Sequence, residues 1–373
     1  MIKIEYPDKF VEEYYYSIVT KNKNVNEIKL SQTKVTKINK VLKRIKFKGG
    51  TLDLEKLITA DFDELIELVR LFENEFCNEF KDKVKMKNIG NEQYIDYLFE
   101  SRLNDNILPV FLSDSKIKTK ILNDMKNEWN SILSESNSIV YEVDSIRKKI
   151  SNFFMSKSDI INLKTCYYCN IDFINSFVSK GENKNHFTLD HFFPKEKFPY
   201  LSISLFNLVP CCSPCNTKFK GKKTFKFDKE LFSLSPSSKF YQVDNELFFN
   251  LYFNISGQNL EEKLKKVISN NDFEIKLENC SKMIGNYSFI DFFKLEGRYD
   301  FHKNEALKMI NKRKIYSDSQ IKELSDLFIQ KGIAKDEEAI KKDLFGTSIF
   351  NEDEKNEPFA KYKKDIAKQL GLI

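Results

Sequence analysis

Four of the seven cysteines in this chain of 373 residues form two C-x-x-C pairs, Cys166 with Cys169 and Cys212 with Cys215. Each pair places two thiolates on one side of a tight turn, and two such pairs can surround one Zn²⁺ tetrahedrally. A shell of four sulfurs leaves no open position, so the predicted zinc is structural. Cys211 is an alternative ligand to Cys212, although its spacing to Cys215 fits the turn less well. Buried cysteines without metal are the competing interpretation.

The segment between and just after the two pairs carries side chains suited to phosphodiester hydrolysis. Asp190 and His191 end one predicted short strand, and Asn207 begins another. Neutral imidazole can take the proton of an attacking water near pH 7, so His191 is the candidate general base. Oxygen ligands suit a hard cation, so Asp190 and Asn216 are candidate ligands for Mg²⁺ or Mn²⁺. Adjacent strand residues point to opposite faces, so we expect the backbone to bend at Asp190.

The segment from Cys166 to Gly221 resembles the zinc-stapled form of the HNH (ββα-metal) endonuclease motif. The residues that carry the resemblance are, in order, Asp190-His191, Asn207-Leu208 and Cys212-Ser-Pro-Cys215-Asn216. The resemblance implies that His191 deprotonates water and that Asp190 and Asn216 bind one divalent cation. It further implies that Asn207 braces the loop carrying the histidine. Asn216 stands where the family also uses histidine, a variation that the family tolerates.

Basic residues are concentrated in the same part of the chain. Residues 164–226 contain ten lysines and four acidic residues, whereas the rest of the chain is close to neutral. Such a local excess is typical of a phosphate-binding surface. Four lysines that follow the last candidate ligand are predicted to hold flanking phosphates: Lys218, Lys220, Lys222 and Lys223. DNA is the expected substrate, and RNA stays open because the centre grips a phosphate and leaves the sugar largely unread.

The surrounding sequence predicts an α+β protein that is mainly helical. We expect a helical N-terminal region over 1–155, a central HNH module with its four-cysteine zinc site over 156–225, and a mixed, then helical, C-terminal region over 226–373. Asp61 is predicted to start one helix, and Ser317 another through a capping box with Gln320. A hairpin is expected to turn about Asp244-Asn245.

The layout of the whole chain is similar to the HNH subunits of Septu-type anti-phage systems, which are encoded beside an ATPase. This resemblance implies an ATPase partner, and no G-x-x-x-x-G-K-[ST] loop occurs in this chain to supply that activity itself. The first ten residues lack the features of a secretory signal, and no apolar run is long enough for a membrane span. A cytoplasmic protein without membrane contact is therefore expected.

Two other functional classes compete with the nuclease interpretation. A zinc-stapled nucleic-acid-binding module without catalysis would bind DNA without regard to Mg²⁺. An interaction subunit would bind an ATPase and have no affinity for nucleic acid. Neither class has a use for the combined set of Asp190, His191, Asn207 and Asn216, which favours the nuclease.

Overall fold

The structure is a computed structural model that describes residues 2–19, 39, 42–43, 45–86, 144–227, 230–281, 284–350 and 357–373. It is mainly helical with small two-stranded sheets, as the sequence predicts for an α+β protein. Internal contacts divide the chain into two units. We call them the cleft unit, Lys3–Asn162 with Asn175–Tyr241, and the C-terminal unit, Met1–Ile2 with Leu163–Ile174 and Gln242–Ile373. The predicted division into 1–155, 156–225 and 226–373 stays a prediction. The parts of the expected helical N-terminal region over 20–38 and 87–143 lie outside the described residues.

The cleft unit contains four α-helices, six strands and one π-helix within its described part. The helices are α1 (Asp8–Ile18), α2 (Leu54–Thr59), α3 (Phe62–Met86) and α4 (Asp144–Ser156). The antiparallel strand pairs are β1 (Lys46–Phe47) with β2 (Gly50–Thr51), β3 (Ser176–Ser179) with β4 (Glu182–Asn185), and β5 (Thr188–His191) with β6 (Leu208–Cys211). The π-helix spans Pro214–Lys220 and follows β6 directly.

Helix α3 begins where the sequence predicts. The Asp61 carboxylate accepts a hydrogen bond from the Glu64 backbone N–H at 2.9 Å, and the Glu64 carboxylate accepts one from the Asp61 N–H at 2.8 Å. This reciprocal arrangement satisfies two backbone donors that the start of a helix leaves without intrahelical partners. The expected helix start at Asp61 is confirmed.

The loop between β5 and β6 is held by the N-terminal helices of the same unit. Tyr200 stacks on Phe72 of α3 with ring centroids 4.1 Å apart, and its hydroxyl donates to Glu73 at 2.8 Å. The Ser204 hydroxyl donates to the Leu57 carbonyl at 2.7 Å. Buried polar groups cost free energy unless they are hydrogen-bonded, so these contacts fix the path of the loop. The ends of β5 and β6 are thereby held in a defined geometry.

The C-terminal unit pairs one long hairpin with a set of helices. Its helices are α5 (Val243–Glu246), α6 (Leu260–Lys266), α7 (Ile284–Phe293), α8 (Leu295–Phe301), α9 (Lys303–Ile315), α10 (Asp318–Gln330), α11 (Glu337–Phe345) and α12 (Ala360–Gln369). Its strands are β7 (Leu247–Phe253) and β8 (Phe273–Asn279), which pair antiparallel. The predicted capping box of Ser317 with Gln320 is confirmed at the start of α10.

The hairpin expected about Asp244-Asn245 is wrong. The dipeptide lies inside the short helix α5, and β7 pairs instead with β8, which lies about twenty residues further along the chain. Helix α12 covers the other edge of β7 with polar side chains. Asp365 accepts from the Phe249 N–H at 3.1 Å, and Gln369 accepts from the Leu251 N–H at 2.8 Å. These bonds satisfy strand donors that an edge would otherwise present.

Candidate active-site cleft and cysteine cluster

The end of β5 opens into a cleft of about 400 Å³ in the cleft unit. The predicted site residues Asp190, His191 and Asn216 all line it, together with Arg147, Lys195 and Lys222. Strand β5 supplies the first two residues, and the π-helix supplies the third. Pairing ends at His191 opposite Leu208, so both candidate catalytic groups lie where the ladder stops. The structure therefore brings together the side chains that the sequence nominates for hydrolysis.

The imidazole of His191 is held in one tautomer by a backbone carbonyl. Its Nε2 lies 2.9 Å from the Ser202 carbonyl oxygen. A carbonyl can only accept, so Nε2 carries the hydrogen and Nδ1 carries the lone pair. Burial lowers the pKa of His191 to about 4, with the bond to Ser202 opposing the shift. The ring is thus neutral at pH 7 and has an acceptor nitrogen, as a general base requires.

Asn207 ties the two ends of the β5–β6 loop together from a fully buried position. Its Oδ1 accepts from the Phe193 N–H at 2.7 Å, and its Nδ2 donates to the carbonyls of Phe193 and Leu201 at 3.1 and 3.0 Å. The Asn207 carbonyl also accepts from the Phe192 N–H at 2.9 Å. These bonds fix the segment that leaves His191 and the turn that carries Ser202. The geometry is that of a brace, and a contribution of Asn207 to catalysis stays a prediction.

We expect Asn207→Ala to lower the free energy of unfolding by about 3 kcal/mol, because it removes both side-chain hydrogen bonds to the Phe193 backbone and one of the two bonds that the Leu201 carbonyl accepts. Urea unfolding of the purified chain measures the change. Asn185→Ala is the matched control: its side chain is exposed and makes two hydrogen bonds, so the expected loss is below about 1 kcal/mol. Equal losses in the two variants would contradict the bracing role.

Asn216 lies on a helix of unusual hydrogen bonding. The Gly221 N–H donates to the Asn216 carbonyl at 2.8 Å, which is the five-residue spacing of a π-helix. Gly221 ends the segment with φ 53° and ψ −126°, a conformation that favours glycine. Such π segments are rare and recur at functional sites. The Asn216 side chain is half-buried and lines the cleft, which suits a ligand.

Lys220 differs from the other three predicted phosphate-binding lysines. Lys218, Lys222 and Lys223 are exposed, as a phosphate-binding surface requires. Lys220 is only 1% exposed, and its ammonium contacts Asp190 and the His191 carbonyl. Residues two apart on a helix do not face the same side, so Lys218 and Lys220 diverge. The expected phosphate contact of Lys220 is therefore replaced by a buried ion pair.

Three further features of the cleft cannot be predicted from the pattern of residues in the sequence. Arg147 reaches it from α4, in a region where the sequence shows no chemical constellation. The Ser202 carbonyl is a backbone group, so it leaves no trace in the residue pattern. The pairing of Lys220 with Asp190 joins residues thirty positions apart, so no local sequence pattern indicates it.

The four cysteines of the C-x-x-C pairs form a buried cluster. Their sulfur atoms all lie within 4.8 Å of one another, and this group is Cys166, Cys169, Cys212 and Cys215. Tetrahedral Zn²⁺ with sulfur ligands at about 2.3 Å requires sulfurs roughly this close, so the donor set fits a metal such as zinc. Cys211 is not in the group. Its thiol lies 3.6 Å from the Thr188 hydroxyl, and burial raises its pKa.

The first cysteine turn is built for a thiolate pair. The Asn170 N–H donates to the Cys166 carbonyl at 2.8 Å, and Asn170 has φ 53°, which closes the turn. Arg298 places Nη2 3.3 Å from the Cys169 sulfur and 3.0 Å from the Asp172 carboxylate. A guanidinium beside a sulfur favours the ionised form that binds metal. Local geometry and charge thus agree with a metal-binding role.

Comparison with known proteins places no family name on this chain. No family model, no curated protein and no solved structure matches it. Among the described residues, no helix combines the length and the apolar character needed to cross a membrane.

Proposed function

We propose that the chain is a metal-dependent endonuclease of the HNH type that hydrolyses phosphodiester bonds in DNA. The observation that carries the proposal is the cleft at the end of β5. It combines a neutral imidazole, His191, with the carboxylate of Asp190 and the amide of Asn216. An activated water and a held cation are the two requirements of phosphodiester cleavage that such a set can meet.

His191 is the general base of the proposed reaction. Its Nε2–H is anchored on the Ser202 carbonyl at 2.9 Å, so Nδ1 is the nitrogen that takes the proton of the attacking water. The anchoring carbonyl also stabilises the imidazolium that forms, because it faces the N–H that shares the new charge. The hydrogen bonds of Asn207 fix the backbone near His191 and near Ser202, so the imidazole and the Ser202 carbonyl stay within hydrogen-bonding distance.

Asp190 and Asn216 are the proposed ligands of a catalytic divalent cation. Both line the cleft and both offer oxygen atoms, the donor type that Mg²⁺ and Mn²⁺ prefer. When bound, such a cation supplies Lewis-acid stabilisation of the charge that builds on the phosphate. The two residues serve to bind and orient it beside the imidazole. Arg147, Lys195 and Lys222 line the same cleft and add positive charge for the flanking backbone.

The cysteine cluster has a structural role in this proposal. All four cysteines are buried and their sulfurs lie within 4.8 Å of one another. A zinc ion held by all four would have no open position for water or substrate. The exposed lysines Lys218, Lys222 and Lys223 follow one cysteine pair and are proposed to bind phosphates without reading sequence. An ATPase partner and a role in anti-phage defence rest on the resemblance in layout alone.

Incubation of supercoiled plasmid with the purified chain tests the proposal. We expect nicked or linear product with Mg²⁺ or Mn²⁺, none with EDTA, and none from a His191→Ala preparation made in the same way. If the wild type alone is silent, the assay is repeated with ATP and the product of the gene beside that of this chain, which the proposal expects to be an ATPase. Absence of cation-dependent cleavage in both arms would refute the nuclease. A single-stranded RNA of matched length distinguishes the two substrate classes.

A second candidate is a zinc-stapled nucleic-acid-binding module without catalysis. One observation favours it: the Lys220 ammonium contacts both carboxylate oxygens of Asp190, which neutralises the proposed cation ligand. This candidate predicts DNA affinity that is indifferent to Mg²⁺, together with no cleavage by the wild type.

A further inference from the structure

The ion pair of Lys220 and Asp190 lies inside the proposed cation site. The Lys220 Nζ is 3.2 Å from Asp190 Oδ1, 3.1 Å from Asp190 Oδ2 and 2.7 Å from the His191 carbonyl oxygen. Three acceptors match the three N–H donors of an ammonium. The Lys220 side chain has no solvent exposure, and that of Asp190 is 4% exposed. The Lys220 ammonium therefore occupies the carboxylate of Asp190, which is the proposed ligand of the metal.

The helix that carries Lys220 also carries the other proposed ligand. Asn216 and Lys220 both belong to the π-helix Pro214–Lys220, and Gly221 ends that helix immediately after the lysine. The same segment thus carries one residue that lines the cleft and another whose ammonium contacts Asp190.

A divalent cation and this ammonium cannot share Asp190 without strong repulsion. A cation bound to a carboxylate oxygen at about 2.1 Å lies within about 5 Å of a nitrogen that is 3.1 Å from the same oxygen. Like charges so close, in a site with little water, repel much more than they would in solvent. The divalent cation therefore either binds Asp190 with low affinity or displaces the Lys220 ammonium from it.

We propose that Lys220 is a resident counter-ion that competes with the divalent cation for Asp190 and so keeps the cation affinity of the free protein low. The inference deepens the proposed function and rests on its assignment of Asp190 as a cation ligand. Displacement of the ammonium, for example by a phosphate group drawn into the cleft, would then couple cation binding to the arrival of substrate. Lys220 acts through Asp190 and is a positioning residue, distinct from the exposed phosphate-binding lysines.

Mn²⁺ binding to the zinc-loaded chain without nucleic acid tests the competition. Lys220→Gln removes the charge and keeps a hydrogen-bond donor, and it should bind Mn²⁺ at least about tenfold more tightly than the wild type. Lys180→Gln, which removes an exposed charge of the same unit outside the cleft lining, is the matched control and should change the affinity little. Lys220→Arg keeps the charge and should not bind more tightly than the wild type. Titration calorimetry or the electron paramagnetic resonance signal of free Mn²⁺ gives each dissociation constant.

Several outcomes would overturn the inference, and one would overturn the proposed function instead. Equal or weaker Mn²⁺ affinity in a folded Lys220→Gln chain would show that the lysine does not compete. Lys220→Met serves the same purpose if the glutamine variant does not fold. Binding that survives Asp190→Asn in the Lys220→Gln background would place the cation elsewhere and refute the assigned ligand. Cleavage assays are not needed for any of these readouts.

Discussion

His191→Ala is expected to lower the rate of plasmid cleavage by about a thousandfold, the usual contribution of a positioned general base. The ring lines the cleft, is neutral, and has its tautomer set by the Ser202 carbonyl. Replacement by a methyl group removes the proton acceptor and leaves Asp190 and Asn216 in place. Single-turnover cleavage at saturating Mg²⁺ measures the chemical step directly. DNA affinity and zinc content should be retained.

His186→Ala is the matched control for this variant. His186 is exposed, lies in the same unit and is not among the residues that line the cleft. Its removal changes the histidine count in the same way, and cleavage is expected to stay within about twofold of the wild type, as for a surface substitution. Similar rates for the wild type and His191→Ala would exclude the imidazole as the base. A drop caused by misfolding would also appear as loss of zinc or of DNA affinity.

The pH dependence of cleavage follows from the same environment. A base acts in its deprotonated form, and burial lowers the pKa of His191 to about 4. Activity should therefore persist from neutral pH down to about pH 5 and fall as the pH passes through 4, rather than near 6.5, the ordinary value for histidine. A cation held by Asp190 would lower the pKa further and move the acid limb the same way. An acid limb centred near 6.5 would contradict the lowered pKa of His191.

Local sequence signals predicted the helix starts better than the strand pairing. The capping residues Asp61 and Ser317 act on backbone groups a few positions away, so their effect can be read from adjacent residues. The hairpin at Asp244-Asn245 failed because the dipeptide lacks the glycine that favours a tight two-residue turn. Strand β7 pairs with β8 (Phe273–Asn279), about twenty residues further along the chain. Pairing between strands so far apart in sequence cannot be predicted from the residues next to either strand.

Some residues of the candidate site could likewise be predicted from one segment of the sequence, whereas others depend on tertiary packing. Spacing within one segment nominated Asp190, His191 and Asn216, and the structure gathers all three at one cleft. The same reasoning treated four lysines as equivalent because composition cannot tell which face of a helix each occupies. Only the fold separates Lys220, buried against Asp190, from its exposed neighbours. Arg147 likewise enters the cleft through tertiary packing of α4.

Loss of the metal from the cysteine cluster is expected to have the largest effect on stability. Cys215→Ser should abolish stoichiometric zinc binding and lower the free energy of unfolding by several kcal/mol, because binding of structural zinc contributes about 10 kcal/mol or more to folding in small domains. One sulfur is lost from a group in which all four lie within 4.8 Å, and the remaining three cannot close a tetrahedron. Elemental analysis and thermal unfolding measure the two effects.

Cys211→Ser separates loss of a ligand from loss of a buried thiol. Cys211 is fully buried like Cys215, but its sulfur faces the Thr188 hydroxyl at 3.6 Å and is absent from the cluster. The serine at this position should keep one zinc per chain and cost only a modest part of the stability. Wild-type protein treated with a strong chelator should reproduce the Cys215→Ser melting curve. Retention of one zinc per chain by both variants would mean that the metal is not held by the cluster, because Cys215 belongs to that group and Cys211 does not.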